Sequence, residues 1–537
     1  MIKLIIKYPL VILLTLGLCF TTEAQRKKVK LKKAEVQKGG INSAGDRFDS
    51  FVGNVVFEQN ETTIYCDSAI IFRKDNLVKA FGRVRITEGD SITITAKRLN
   101  YNGDNKKAEL RENVVFKKLK SVTLYTDFLD YDRNRQQAKY FNGGRLVDST
   151  NVLTSEKGYY QVNTNMASFK KNVVGKNPDY TLKSDTLQYH TKTNIVYFRD
   201  YTELTDVEGN QFYYEEGEYN TNIRKSNLDE GEVETASYVL TGNKLFLDDL
   251  KKLYSATGDV EMVSKEQDVI ITGDYSFYQK DKGIAKVYGN ALMKKVMGLD
   301  TLYLTADTLM AIESKDPKKE RVLAYKNVRI FKSDLQGKSD SLSYHTADST
   351  LFFYQDPVLW TSGNQMTADS INVLINKGTI DRLNMNQNSY VVSTDSINNF
   401  NQVKGRKMEA RFKNGSINKV NVYGNGESLF FALNDEETAL MGMNKIFCSD
   451  MVINFKANKA DNVSFYVNPD ASFIPPHELK EPDKKLSGFA WRIEEKPTLE
   501  EMKLLDRTEV EIDNSPPVNK KQIDKKELLK PKVEKIN

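Results

Sequence analysis

The sequence predicts an all-β fold: an elongated, repetitive β-jelly roll or β-solenoid of about thirteen units of roughly 30 residues around an apolar interior, followed by a largely disordered C-terminal tail. Three observations carry this. The chain holds 27 Tyr and 26 Phe but only 12 Pro in 537 residues, which suits a pleated, half-buried surface and is too aromatic for disorder. A short pattern built on a small residue, then Asp, then alternating apolar residues recurs along the chain. Within each copy the apolar period is two rather than 3.6.

In chain order, residues 1–24 read as a secretory signal peptide, with Lys3 and Lys7, an apolar run from Pro9 to Phe20, and small residues at Thr22 and Ala24 for cleavage after Ala24. Cys19 follows Leu18, a residue unsuited to lipoprotein processing. No later stretch is apolar enough to span a bilayer as a helix. Residues 25–40 form a basic segment, "RKKVKLKK" at Arg26 to Lys33, and a second basic run, "KKQIDKKELLKPKVEK", lies at Lys520 to Lys535. Both are expected to stay in water, the alternative being contact with anionic head groups. Between them the charges nearly balance, which argues against nucleic acid as a partner. After cleavage only Cys66 and Cys448 remain, so a disulfide scaffold is excluded and one long-range pairing stays open.

Residues 41–472 carry the repeat. Copies include "YCDSAII" at Tyr65, "YTDFLDY" at Tyr125, "KSDTLQY" at Lys183, "TGDYSFY" at Thr272, "TADTLMA" at Thr305, "KSDSLSY" at Lys338, "TADSINV" at Thr367 and "CSDMVIN" at Cys448. A second motif alternates with it, as in "VGNVVF" at Val52, "RENVVF" at Arg111, "YGNALM" at Tyr288 and "YKNVRI" at Tyr325, where Gly or Asn precedes β-branched or apolar residues. The apolar alternation slips by one at the motif aspartate: Leu124 and Thr126 precede Asp127, whereas Leu129 and Tyr131 follow it. A slip turns the apolar set outward unless the chain bends or bulges. Asp67, Asp127, Asp185, Asp274, Asp307, Asp340, Asp369 and Asp450 are therefore expected at structural corners, their carboxylates accepting bonds from local backbone N–H groups.

"KSDSLSYH", Lys338 to His345, has the look of a stripped-down hydrolase site. However, His345 shares its repeat position with His190, Asn102, Asp132, Gln161, Gln279 and Leu374, a free exchange that marks a solvent-facing strand residue rather than a base. No Cys or His pair has ligand spacing, no phosphate cradle appears, and the carboxylates are scattered. No catalytic residue, metal site or cofactor is expected. Residues 473–537 are rich in Pro and charge and lack β alternation, with one short helix expected from Thr498 to Leu505, capped by Thr498 with Glu501 three residues on. "GFAWR" at Gly488 to Arg492 reads as a docking segment or as an aromatic patch folding back on the body.

The secretory signal, "GNVVF", the aspartate motifs and returns such as "AKVYGNALM" at Ala285 and "VKAFGRVRI" at Val78 together resemble the OstA-like family over roughly Gly40 to Ser472. Domains of that family share the β-jelly roll of the lipopolysaccharide-transport proteins LptA, LptC and the periplasmic part of LptD. The resemblance implies a non-enzymatic protein of the periplasm, with outer-membrane association left open, that takes lipid A acyl chains into an apolar groove and meets other jelly-roll transport proteins of the envelope. Groove candidates are the inward positions beside the corners: Ile92, Ile94, Leu99, Leu129, Leu182, Leu187, Leu304, Leu309, Leu342 and Ile371. The rival expectation is a structural or adhesive β-solenoid with a closed core, binding proteins or polysaccharide on its outer face.

Overall fold

The structure, a computed structural model, describes residues 28–507 apart from 266–267, 414 and 457–458. The expected signal peptide and the basic run at 520–535 lie outside the described residues. Two compact units divide the chain, Met1–Leu204 and Thr205–Asn537, and both are antiparallel meanders. In the N-terminal unit the strands Arg47–Gln59, Thr62–Phe72, Leu77–Glu88, Ile92–Asn102, Lys107–Lys118 and Val122–Asp132 pair in succession. They are longer than expected, because the chain runs through the motif aspartate instead of turning at it.

The slip in the apolar pattern is resolved on the neighbouring strand. Arg111 pairs with Phe128 and Val114 with Thr126, so Glu112 and Asn113 together oppose the single residue Asp127. Both are left-handed, with φ of 67° and 52°. The same two-against-one bulge sets Gly53–Asn54 against Asp67, Gly82–Arg83 against Lys97 and Lys171–Asn172 against Asp185. In the C-terminal unit it sets Gly258–Asp259 against Asp274, Gly289–Asn290 against Asp307 and Lys326–Asn327 against Asp340. The two alternating sequence motifs are thus the two sides of one bulge.

Left-handed backbone costs a non-glycine residue about 1–2 kcal/mol, and the facing side chains hold it in place. Asp127 accepts from the Asn113 N–H and Asp450 from the Gly424 N–H, each at 2.9 Å. Asp274, Asp307 and Asp369 accept from the amides of Asn290, Asn327 and Asn388 at 2.9, 2.9 and 3.0 Å. Asp67 pairs with Arg83 at 2.7 Å. These donors come from the adjacent strand, not from the local backbone that the sequence suggested.

A bulge bends its strand, and a line of them folds the sheet lengthwise into two leaves. Phe51 and Phe57, on either side of one bulge, meet edge to face at 5.7 Å. Phe116 on one leaf lies 6.0 Å from Tyr131 and from Tyr160 on the other. Leaf 1 of the N-terminal unit carries turns such as 103–106 and 133–136, and leaf 2 those at 60–61 and 119–121. The C-terminal unit repeats the arrangement, with Phe212 of leaf 2 set 6.4 Å from Tyr254 of leaf 1.

Two expected boundaries move. Within the basic segment, Lys30–Lys33 and Val36–Ile41 are strands paired to Arg47–Gln59, and Val29 is buried. Within the tail, residues 475–507 lie against the body, because side-chain amides under them replace the missing strand partners; residues 508–537 lie outside the described residues. Gln402 donates to the Lys484 carbonyl (2.8 Å) and accepts from the Leu486 N–H (2.9 Å). Gln365 does the same with Ala490 (2.7 Å) and Arg492 (2.6 Å). Leu486 packs on Tyr390, Val392, Leu429 and Phe431, with Phe489 and Trp491 beside them, so "GFAWR" folds back on the body. The helix is Leu499–Leu505, with the Thr498–Glu501 capping box in place. This strap covers the outer face of leaf 2 in the C-terminal unit and ends with Arg507 on Asp274 at 2.6 Å.

Replacing Gly289 (φ 73°) by Lys should destabilise by about 1–2 kcal/mol, whereas Lys326→Gly (φ 61°) at the equivalent site should be neutral or stabilising; thermal melting of the two variants checks the sign. Gln402→Ala removes both clamping bonds, and proteolysis within 475–507 should speed up about tenfold or more in a timed digest.

Candidate functional site: the interior and its seam

The ten groove candidates all lie inside the folded sheet, each at 5% exposure or less. Ile92, Ile94, Leu182 and Leu304 belong to leaf 2, and Leu99, Leu129, Leu187, Leu309, Leu342 and Ile371 to leaf 1. Along this stretch they touch protein. In the stretch that has the look of a hydrolase site, Ser339 donates to the Ser341 carbonyl (3.0 Å), while the His345 ring rests on Phe352 at 4.7 Å. Among the described residues no group of His, Cys, Asp and Glu could hold a metal ion, and no helix is long and apolar enough to cross a membrane. Cys66 and Cys448 are free thiols, and burial pushes the Cys66 thiol up to about 12.

Opposite the crease, the ends of the two leaves meet along a seam, and side chains make the contacts found across it. In the N-terminal unit Gln59 donates to the Gly103 carbonyl (2.7 Å), and Glu88 accepts from Tyr131 (2.7 Å) and Arg133 (2.9 Å). Lys118 donates to the Val162 carbonyl (2.7 Å), and the hydroxyls of Ser121 and Thr191 lie 3.3 Å apart. In the C-terminal unit Glu208 of leaf 2 takes Lys252 (3.1 Å) and Lys280 of leaf 1, and these two ammonium groups hold its carboxyl down to about 2. Nearby, burial pushes Asp249 up to about 6, with Asp206 adding to the rise against the pull of Lys252.

The sequence contains a signal for this seam that the repeat reading passed over. Five residues after the second left-handed residue of seven of the bulges stands an inward position at or next to the end of its leaf, filled by Gln59, Glu88, Lys118, Asn177, Ser264, Lys295 and Lys332, all polar; after Gly424–Asn425 the same position is Phe430. An apolar strand whose inward set ends on a polar residue marks where two faces meet water.

Toward the last strands the interior opens. Leaf 1 stays closed at Leu383, Met408, Val422 and Met451. The inward side of leaf 2 does not: Val391 and Val403 are half-buried, Phe430 is 47% exposed and Phe473 55%. Phe430, Phe473 and Val463, the last at the end of leaf 1, form an apolar mouth bordered by the terminal strands Lys459–Tyr466 and Asp470–Ile474. The weak final copies of the motif hid these residues from sequence reading.

Asp249→Asn tests the seam electrostatics. A carboxyl raised from 3.8 to about 6 costs the fold nothing below pH 4 and its full penalty above pH 6. The variant should gain up to about 2 kcal/mol at pH 7.5 and little at pH 4, read as melting temperature against pH. Glu208, with its depressed pKa, has the opposite sign: its contribution is present above pH 4.5 and fades as pH falls toward 2.

No curated protein matches the chain. One solved structure it matches is LptH, the LptA homologous periplasmic component of the conserved lipopolysaccharide transport device from Pseudomonas aeruginosa, at 15% identity and a TM-score of 0.20, over 22% of this chain and 82% of that chain. At that score the likeness carries no argument, and the all-β fold stands on the strand register itself. The model of the OstA-like protein family matches residues 26–185 and again 159–243, so over that stretch the chain is OstA-like in sequence.

Proposed function

We propose that this protein is a non-enzymatic lipopolysaccharide carrier of the periplasm, acting in outer-membrane biogenesis and receiving acyl chains between the two leaves. The observation that carries this is the mouth at Phe430, Phe473 and Val463, where the apolar interior of the C-terminal unit, sealed along the earlier strands of that unit, meets solvent. Fully burying one such side chain against a lipid is worth about 1.5–3 kcal/mol, and an open apolar surface of this kind is what a ligand of that chemistry would cover. Passage along the sealed stretch requires the leaves to part at the seam, where the contacts found are side-chain bonds worth about 0.5–1.5 kcal/mol each. The family match supports the reading, and the partners it proposes are lipopolysaccharide and other jelly-roll proteins of the envelope.

The complete burial of the ten candidates favours one second reading, a structural or adhesive β-solenoid whose core never opens. A photo-crosslinker in place of Leu187, Leu309 or Phe430 separates the two. Lipopolysaccharide adducts are expected at all three; adducts at none would overturn the carrier. In the pair Ser121→Cys with Thr191→Cys, whose hydroxyls are already 3.3 Å apart, the oxidised protein should lose the adduct at position 187 and regain it on reduction.

A further inference from the structure

The structure assigns a phosphate-reading position at the seam of the C-terminal unit, made by Lys295 and Tyr344; this rests on the carrier function proposed above. Lys295 is the last but one inward-facing residue on its strand of leaf 2, after Ala291 and Met293. Its ammonium stands over the ring of Tyr344 on leaf 1, 5.3 Å from the centroid. Among the described residues no carboxylate lies within ion-pair distance of it. The neighbouring inward lysine is arranged differently: Lys332 is neutralised by Asp300 at 3.1 Å and Asp334 at 2.7 Å. Tyr344 itself is fully buried, yet its hydroxyl has no hydrogen-bond partner.

A buried hydroxyl without a partner is left desolvated and uncompensated, and a half-buried ammonium held only by an aromatic face lacks a counter-charge. Both deficits are met by one ligand group, an anionic oxygen that accepts from the ammonium and from the phenol. The position fixes the chemistry further. Lys295 is the first polar residue on the inward side of its strand near the seam, with only Met297 beyond it, so an amphiphile with chains among Met293 and Leu304 would present its first polar group there. A phosphate monoester on a lipid satisfies both conditions. The N-terminal unit holds a parallel case: Lys118, at the equivalent bulge position, stands 5.7 Å from the Tyr160 ring, bonds only to the neutral acceptors Val162 and Asn165, and has no carboxylate partner among the described residues.

The test measures binding of hexadecyl phosphate, hexadecanol and inorganic phosphate to the mature full-length chain by titration calorimetry. Wild type should prefer hexadecyl phosphate over hexadecanol by about tenfold, the weight of one charge-assisted hydrogen bond. Lys295→Gln should erase that preference while hexadecanol still binds, and Tyr344→Phe should reduce it; circular dichroism melting confirms that both variants fold. An unchanged ratio in Lys295→Gln would overturn the headgroup position and leave the carrier standing. Binding of neither amphiphile to wild type would overturn both. Inorganic phosphate binding as tightly as hexadecyl phosphate would show a site for the free anion and sink the lipid assignment.

Discussion

Two consecutive left-handed residues set against one residue on the next strand are the constraint on which the molecule depends. A flat antiparallel meander of strands 10 to 14 residues long, such as Lys225–Glu234 or Ile284–Met297, would bury one face of alternating residues and leave the other bare. The bulge shifts the alternation midway, so both halves of a strand present apolar side chains inward only if the strand also bends. Each strand therefore folds against itself, and the aspartate–asparagine contacts keep neighbouring bulges in line. Without that alignment there would be neither an interior nor a seam.

The crease and the seam are unequal closures. At the crease the leaves are joined by the covalent chain and flanked by backbone ladders on both sides. At the seam they are joined by groups such as Gln59, Glu88 and Glu208, whose bonds exchange readily for water. Any separation of the leaves is therefore a hinge motion about the bulge line. The C-terminal strap stiffens leaf 2 of its unit from the outside, through Gln402, Gln365 and Lys294 paired to Asp506. In that unit leaf 1, which the strap does not cover, is the freer plate.

Much of the architecture is legible in the sequence because period-two alternation and its slip are local signals. Asp127, Asp185 and Asp307 mark the bulge line directly. What escapes a single copy of the motif is the partner: the two residues that bulge, such as Glu112–Asn113, stand 14 or 15 positions away and are read only once the strands are paired. Inwardness is legible for Leu187 or Leu309, but exposure is not, since whether an inward residue meets protein or solvent depends on the distance between leaves. The strap within the tail escapes the alternation signal for a related reason. Its Pro and charged residues lack β alternation because its partners are side-chain amides and an outer sheet face, so its order is borrowed from Gln402, Gln365 and Tyr390.

The strap also sets an order of events. Chain synthesis proceeds from the N-terminus, so every leaf strand is made before Leu486 can reach its place over Tyr390 and Phe431. Until then the outer face of leaf 2 beside the mouth is a bare apolar surface, and it is capped only by residues made after every leaf strand. A chain released short of this segment would carry a complete interior and an unfinished wall, sticky on the wrong side. The closing step of maturation is thus the docking of residues 484–507 across strands already paired, a fast local event rather than a search through sheet registers.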